Sequence, residues 1–305
     1  MKMNPKVSVV IATFRRNESL DLALSSLGEQ SYSNFEIVLV DDNADAEWNA
    51  AVLKNVTKFR KAFPNIELRL LVNDENLGSA ETRNKGIFNS DGQFVTFLDD
   101  DDIYLPSKIS NQVRFMVDGD LDFAVTDLDL YYDDGSLAEH KTRKYIQRTD
   151  SQSLLTYHLM YHITGTDTMM FKRDYLVSIG AFPPIDIGDE FYLMLRSIEN
   201  GGRFGYLPTC DVRAIVHRDG TGLSGGDGKI EGENKLYEYK KQYFGRLDMK
   251  AKRYIRMRHH AVLAFAQKRR GKKLAFVREG LLSALASPVA CIEMLKKRQN
   301  KTEGT

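Results

Sequence analysis

The sequence predicts an α/β fold in which a mostly parallel central sheet carries helices on both faces, with a helical extension at the C-terminal end. Three observations predict it. Short apolar runs rich in β-branched residues alternate with amphipathic stretches through the first third of the chain. Those runs lead into polar or acidic residues, as strands do whose carboxyl ends line a ligand crevice. From residue 234 onward the chain turns Lys/Arg/Tyr-rich and then Leu/Ala-rich, with helical character.

The elements follow in order. Residues 6–13 (Lys-Val-Ser-Val-Val-Ile-Ala-Thr) read as a buried strand. Asn17 opens an amphipathic helix over 18–30, with Leu20, Leu22, Leu24 and Leu27 as its apolar positions. Residues 35–40 form a second strand ending at Asp41-Asp42-Asn43, 46–63 a helix and 66–72 a third strand. Ser79 caps a helix running to about residue 89, and residues 94–98 form a strand that enters Asp99-Asp100-Asp101-Asp102. Beyond Pro106 the pattern loosens. It gives a strand and turn over 121–135, a strand over 164–171, a helix over 190–199 and short strands over 203–207 and 212–216. The stretch Gly220-Thr-Gly-Leu-Ser-Gly-Gly-Asp-Gly228 reads as a loop, suited to a lid over a ligand or to a flexible connector.

Composition narrows the class. With 305 residues, 42% hydrophobic and 28% charged, the chain reads as an ordinary globular protein rather than a disordered, collagenous or disulfide-rich one. Cys210 and Cys291 lie far apart with no CxxC or Cys/His spacing, which argues against structural zinc and for a reducing cytoplasm. The best apolar stretch, residues 280–292, is shorter than the roughly 20 residues a membrane span needs, and the N-terminus lacks a signal-peptide pattern. The net charge of +1 hides an asymmetry: residues 237–305 hold 18 Lys/Arg against 5 Asp/Glu, the remainder being acidic. Such a tail fits peripheral contact with an anionic membrane face, or packing on the acidic body. No nucleic-acid module accompanies it.

Four consecutive aspartates after a buried strand repel one another. A divalent cation relieves that cost, and Mg²⁺ or Mn²⁺ takes oxygen ligands shared with phosphate. A solvated loop with a helix beginning near Ile103 accounts for the run equally well.

Four segments in register resemble the family 2 glycosyltransferases: Val7-Ser-Val-Val-Ile-Ala-Thr-Phe-Arg15, Glu36-Ile-Val-Leu-Val-Asp-Asp42, Asn76-Leu-Gly-Ser-Ala-Glu-Thr-Arg-Asn84 and Phe97-Leu-Asp-Asp-Asp-Asp102. The resemblance covers roughly residues 5–220 and implies a GT-A fold that uses nucleotide-diphosphate sugars. It divides residues 1–233 into a donor-binding half (1–105) and an acceptor-binding half (106–233), leaving 234–305 as the basic extension. It implies that Thr13, Phe14 and Arg15 border the nucleotide base and that Asp41 and Asp42 reach base or ribose, one of them serving only as a turn or cap. Arg83 contacts the nucleotide on this reading; a surface pairing with Glu81 or Asp91 is the plain alternative. Asp99-Asp100-Asp101 matches the Asp-x-Asp motif, with Asp101 as metal ligand, Asp99 or Asp100 on the ribose or behind it, and Asp102 capping the next element.

Phe182-Pro-Pro-Ile-Asp-Ile-Gly-Asp-Glu-Phe-Tyr-Leu-Met-Leu-Arg196 resembles the family's acidic pair. Its spacing to Arg196 selects Glu190 as general base, with Asp189 close behind; two acids at a helix N-terminus also need no catalytic reason. His217 matches a position that some members use for metal or phosphate, and a lone His is also ordinary in a core. The implied activity is inverting transfer of a sugar, with UDP-sugar favoured, to a hydroxyl of a glycan or lipid-linked glycan for a cell-surface polysaccharide. A nucleotidyltransferase would need a Gly-x-Gly-Thr-Arg signature where Ala12-Thr-Phe-Arg-Arg16 stands, and a non-catalytic relative would have lost the acids.

Overall fold

The computed structural model describes residues 4–185, 188–216 and 228–302. The first part of the chain runs β1 (Val7–Thr13), α1 (Glu18–Gly28), β2 (Phe35–Asp41), α2 (Ala46–Ala62), β3 (Glu67–Val72), α3 (Gly78–Phe88), β4 (Phe94–Phe97), β5 (Ile103–Tyr104) and α4 (Lys108–Asp118). There follow β6 (Phe123–Thr126), β7 (Leu128–Tyr132), β8 (Leu137–Lys141), α5 (Ser151–Tyr161), β9 (Met169–Lys172), α6 (Arg173–Ser178), α7 (Asp189–Glu199), β10 (Phe204–Leu207) and β11 (Val212–Val216). Helices α8 (Gly228–Lys241), α9 (Met249–Arg269), α10 (Lys273–Ala286) and α11 (Pro288–Thr302) complete the chain.

A seven-stranded sheet in the order β10-β6-β9-β4-β1-β2-β3 is parallel except for β9, which runs against β4 and β6. A four-stranded sheet, β5-β11-β7-β8, lies beside it in the same unit. Every residue of β2 is buried, as expected of a parallel strand covered on both faces. Val9, Ile11, Ile37 and Leu39 share a core with Leu20, Leu24 and Leu27 of α1 and with Val52, Val56 and Phe59 of α2. Leu22 of α1 departs from the expected pattern and faces out, at 59% exposed. On the opposite face α3 approaches β1 so closely that a Cβ on Gly86 would stand 2.4 Å from Val10 Cγ1.

The strand order turns back at β1, with β2 on one side and β4 on the other, and open sheets bind ligands beyond the carboxyl ends of strands at such a reversal. The register sets Thr13 opposite Asp41 and Val10 opposite Phe97, so the ends of β1 and β2 and the segment after β4 meet at one edge.

Several local expectations change. No helix starts at Ile103; that residue opens a two-residue strand, and Asp102 accepts from the Ile215 amide at 2.9 Å instead of capping a helix. Ser79 does not cap α3; Asp42 does so from the end of β2, accepting from the amides of Leu77 at 2.8 Å and Gly78 at 3.0 Å. The strand expected over 121–132 divides between the two sheets as β6 and β7, and the turn after it leads into β8, which the sequence pattern does not announce. Of the strand expected over 164–171, residues 166–168 form a 3-10 turn. The fold also gathers a Cys/His pair that spacing conceals: Cys210 Sγ lies 3.8 Å from His140 Nδ1, itself 2.5 Å from Asp129 Oδ1. Burial and the nearby aspartates push the Cys210 thiol up to about 12, so it stays protonated.

The chain divides into two compact units. The first comprises residues 1–155 and 163–216 and contains both sheets; the second comprises residues 156–162 and 217–305. Within the second, α9 is the central helix. His259 stacks on Tyr237 with ring centroids 4.0 Å apart and meets Glu233 at 3.3 Å, and Tyr254 packs edge-on against Tyr161. Lys240 is buried with its Nζ 2.5 Å from His162 Nε2, and burial together with the Arg258 charge lowers its pKa to about 7.

Candidate active site

The site grows from the ends of β1, β2 and β4. Thr13, the last residue of β1, donates its hydroxyl to Asp100 Oδ2 at 2.7 Å, and the Phe14 amide reaches the same oxygen at 3.2 Å. Arg15 adopts a positive φ of 53°, held by its amide's bond to Asn43 Oδ1 at 2.6 Å. That kink leaves the Phe14 ring 44% exposed beneath the Arg15 guanidinium, 5.2 Å from the ring centre. Arg16, which no sequence motif marks, turns back onto the aspartates, with Nη2 2.8 Å from Asp101 Oδ2.

At the end of β2 the two aspartates differ. Asp41 is fully buried; its Oδ1 accepts the Asn43 amide at 3.0 Å and the Asn43 side chain at 2.6 Å, while burial holds its carboxyl above the usual range. Asp42 takes Asn73 Nδ2 at 2.7 Å as well as the two amides of α3, so both its oxygens serve the helix start. Its carboxylate sits where the positive end of the helix dipole favours it.

The aspartate run does not act as one patch. Asp99, Asp102 and Asp167 place carboxylate oxygens within 4.8 Å of one another. Asp167, in the 3-10 turn before β9, is a site residue that the sequence does not single out; it accepts the Asp99 amide at 2.6 Å. Burial, with the Asp99 charge, raises Asp167 to about 7, and burial with the neighbouring acids raises Asp102 as well, so the buried pair retains a proton. Burial and the charges of Asp101 and Asp99 also carry Asp100 to about 7. Asp99 and Asp101 are the more open members, with side chains 33% and 22% exposed. All these donors are carboxylate oxygens, a hard set that fits Mg²⁺ or Mn²⁺ and not a thiophilic metal.

Arg83 on α3 joins the run to the acid pair. Its Nη2 lies 2.7 Å from Asp99 Oδ1 and its Nη1 3.0 Å from Asp189 Oδ2, with Phe182 stacked at 5.6 Å. The surface partners considered from sequence are not its partners; Asp91 pairs with Arg69 at 2.7 Å. Although burial opposes its charge, the surrounding aspartates raise the Arg83 pKa further, so it is always a cation.

Asp189 opens α7 after Gly188, whose φ of 79° suits glycine. Both its oxygens are engaged: Oδ2 by Arg83 and by Ser79 at 3.3 Å, and Oδ1 by the Glu190 amide at 2.9 Å. Glu190 Oε2 accepts from the Gly165 amide at 2.9 Å and the Thr166 hydroxyl at 3.2 Å. Among the described residues no donor meets its Oε1. Behind it, the buried Arg143 binds the carbonyls of Thr126 and Thr164. His217 and the glycine-rich stretch at 220–227 lie outside the described residues.

The sequence profile of Glycosyl transferase family 2 matches residues 8–177, more than half of the chain. The chain belongs to that family. This glycosyltransferase is 26% identical over 238 residues to the uncharacterised glycosyltransferase MJ1057 of Methanocaldococcus jannaschii, covering 77% of each chain. It is 30% identical over 202 residues to the amylovoran biosynthesis glycosyltransferase AmsB of Erwinia amylovora, covering 65% of each. Solved structures share its fold, two of them as follows. TarS 1-349 of S. aureus, in complex with UDP-GlcNAc, superposes with a TM-score of 0.61 at 16% identity, over 92% of this chain and 91% of that one. The mannosyltransferase PcManGT of Pyrobaculum calidifontis, in complex with GDP-Man and Mn²⁺, gives 0.62 at 16%, over 98% and 81%. The glycosyltransferase has the GT-A fold, and its family and named relatives make it an enzyme of the hexosyl-transferring kind.

Proposed function

We propose that the enzyme transfers a sugar, with inversion, from a nucleotide-diphosphate donor to a hydroxyl of a glycan or lipid-linked glycan in cell-surface polysaccharide synthesis. A UDP-sugar is the favoured donor. Relatives named for amylovoran and teichuronic acid biosynthesis support the product class, and TarS crystallised with UDP-GlcNAc supports the donor class. A glucosyltransferase relative of Campylobacter jejuni, named for an undecaprenol-diphosphate-linked glycan, supports the acceptor class. The work is divided between a donor half over 1–105 and an acceptor half over 106–233. The basic extension at 234–305 reaches the cytoplasmic face of the membrane.

One observation carries the reading: Arg83 ties Asp99 of the aspartate run to Asp189 of the acid pair, which supports the assignment of the two acid groups to one site near the sheet reversal. In this proposal the donor base lies by Phe14 and Arg15, with Asp41 beneath it. Asp42 keeps α3 in place, and Asp100 holds the end of β1 against the run. Asp101 and Asp99, the open acids, would hold Mn²⁺ or Mg²⁺; His217 is a further candidate ligand. A divalent cation there supplies Lewis-acid neutralisation of the departing diphosphate. Arg16 and Arg83 stand ready to meet the same diphosphate charge.

Glu190 is assigned as general base because Asp189 has both oxygens committed, while among the described residues no donor meets Glu190 Oε1. Glu190 takes the acceptor hydroxyl proton as that oxygen attacks the anomeric carbon. The bond from the anomeric carbon to the diphosphate oxygen breaks, and the nucleotide diphosphate leaves with the electron pair. The test is thermal stabilisation by UDP, GDP, TDP and CDP, each with and without Mn²⁺. A metal-dependent rise with one nucleotide is expected; no rise with any of the four would overturn the proposal.

A further inference from the structure

Among the described residues, helices α10 and α11 pack an inner face on α9 and leave an outer face exposed. Inward, Ser283 donates to the Met257 carbonyl of α9 at 2.9 Å, Glu279 meets His260 at 2.8 Å, and Cys291 packs with Met257 and Ala261. Outward, Leu274, Val277, Leu281 and Leu285 recur at three- and four-residue spacing along α10, and beyond the bend Val289 and Ile292 of α11 are exposed as well. These are not grazing exposures: Leu274 is 89% exposed, Leu285 74% and Val289 70%. Scattered apolar residues are normal on a surface, but four at helical spacing along one face of α10 mark a contact surface. The one cation within the row, Arg278, is paired with Glu279 at 2.7 Å.

Where α9 turns into α10, Lys268, Arg269, Arg270, Lys272 and Lys273 are all exposed, and no acid occurs between Lys268 and Val277. We infer that the α10–α11 elbow is a membrane-docking wedge: its apolar row enters the acyl boundary of one leaflet while the α9–α10 turn lies on anionic headgroups. A basic turn that leads directly into an apolar helix face matches that interface. A second copy of the same face would bring one exposed acid, Glu293, against five cations of the turn. No single described helix is long and apolar enough to span, and the two helices that would pass together are bent by 119°. Helix α10, at about 1.5 Å per residue, reaches only about 21 Å, short of the roughly 30 Å hydrocarbon core. An elbow lying in the plane meets both constraints.

The inference rests on the proposal that the acceptor is carried on a lipid, and moves the contact from the basic tail alone to an apolar insertion beside it. The test uses the full chain and flotation with vesicles of phosphatidylcholine, alone or mixed with phosphatidylglycerol. The wild type is expected to partition onto the mixed vesicles. The triple variant Leu281→Gln, Leu285→Gln, Val289→Gln should lose partition by more than about tenfold. The variant Lys268→Gln, Arg269→Gln, Lys272→Gln should lose it by a similar factor at low salt and by less at high salt. All six positions are exposed, so melting temperatures should stay level, and stabilisation by nucleotide reports the donor site separately in each protein. Wild type that fails to bind mixed vesicles overturns the wedge. So does an apolar variant that binds within about twofold of wild type; if it also loses a dimer present in wild type, the face belongs to a second copy. A charge variant that binds unchanged at low salt removes the headgroup part.

Discussion

At Glu190 and Asp189, adjacent acids with opposite hydrogen-bond accounts, the chemistry is decided by what each oxygen already holds. If Glu190 is the base, Glu190→Gln should lower kcat by about 10²–10⁴-fold with little change in donor KM, the span that general base catalysis contributes. Asp189→Asn keeps the shape but loosens Arg83 from α7. It should raise donor KM more than it lowers kcat, and initial-rate kinetics on both variants separates the roles. The reverse pattern would transfer the base to Asp189. Arg16 makes a sharper test of the crevice. Arg16→Ala frees the Asp101 carboxylate from a cation 2.8 Å away and should weaken nucleotide-diphosphate stabilisation by roughly tenfold in Kd, if the guanidinium meets phosphate as proposed.

Among the elements, α3 is the piece on which the crevice depends, since it carries Arg83 and Ser79 and begins over Asp42. Its start is held by tertiary contact rather than by a local cap. Asp42→Ala should therefore cost about 2 kcal/mol, at the upper end of capping effects, because it also strands the side chain of Asn73. Gly86→Ala tests the other end of the same helix. A Cβ 2.4 Å from Val10 pushes α3 away from β1, costing about 1–3 kcal/mol. Both effects should appear in urea unfolding followed through Trp48, the single tryptophan, which lies in α2 of the same unit.

These elements also show what was legible in the sequence. The alternation of β-branched runs and amphipathic helices gave the order and place of β1 to β4, because burial on both faces of a parallel sheet imposes a pattern a single sequence displays. Non-local partners do not leave such a pattern. Asp42 caps a helix that starts dozens of residues later, and Asp167 joins Asp99 and Asp102 from a turn with no motif of its own. Arg16 stood one residue beyond the segment that the resemblance singled out. A run of like charge in a buried position does signal that cations must approach, but not which ones.

Across the whole molecule, charge burial sets a pH response that the formal charge of +1 does not suggest. In the sheet-bearing unit Asp100 and Asp167 are raised to about 7, whereas burial lowers Lys108 to about 7, its Nζ lying 2.7 Å from the Tyr104 hydroxyl. The raised carboxyls keep protons that the unfolded chain releases near pH 4; their contribution is complete below that pH and is lost as pH rises to 7. The lowered lysine works in the opposite range. Between about pH 7 and 10 the unfolded chain holds a proton that the folded one has given up, so stability climbs with pH. Each group contributes at most about 1.4 kcal/mol per pH unit. Metal-free protein should therefore have a stability minimum near pH 7, with urea midpoints by Trp48 fluorescence lower there than at pH 5.5 or 9. Mn²⁺ competes with protons for carboxylates, so it should raise the midpoint more at pH 7.5 than at 5.5. A stability maximum at pH 7 without metal would mean that these acids are ionised in the folded state, and that Arg16, Arg83 and Lys108 balance the run without retained protons.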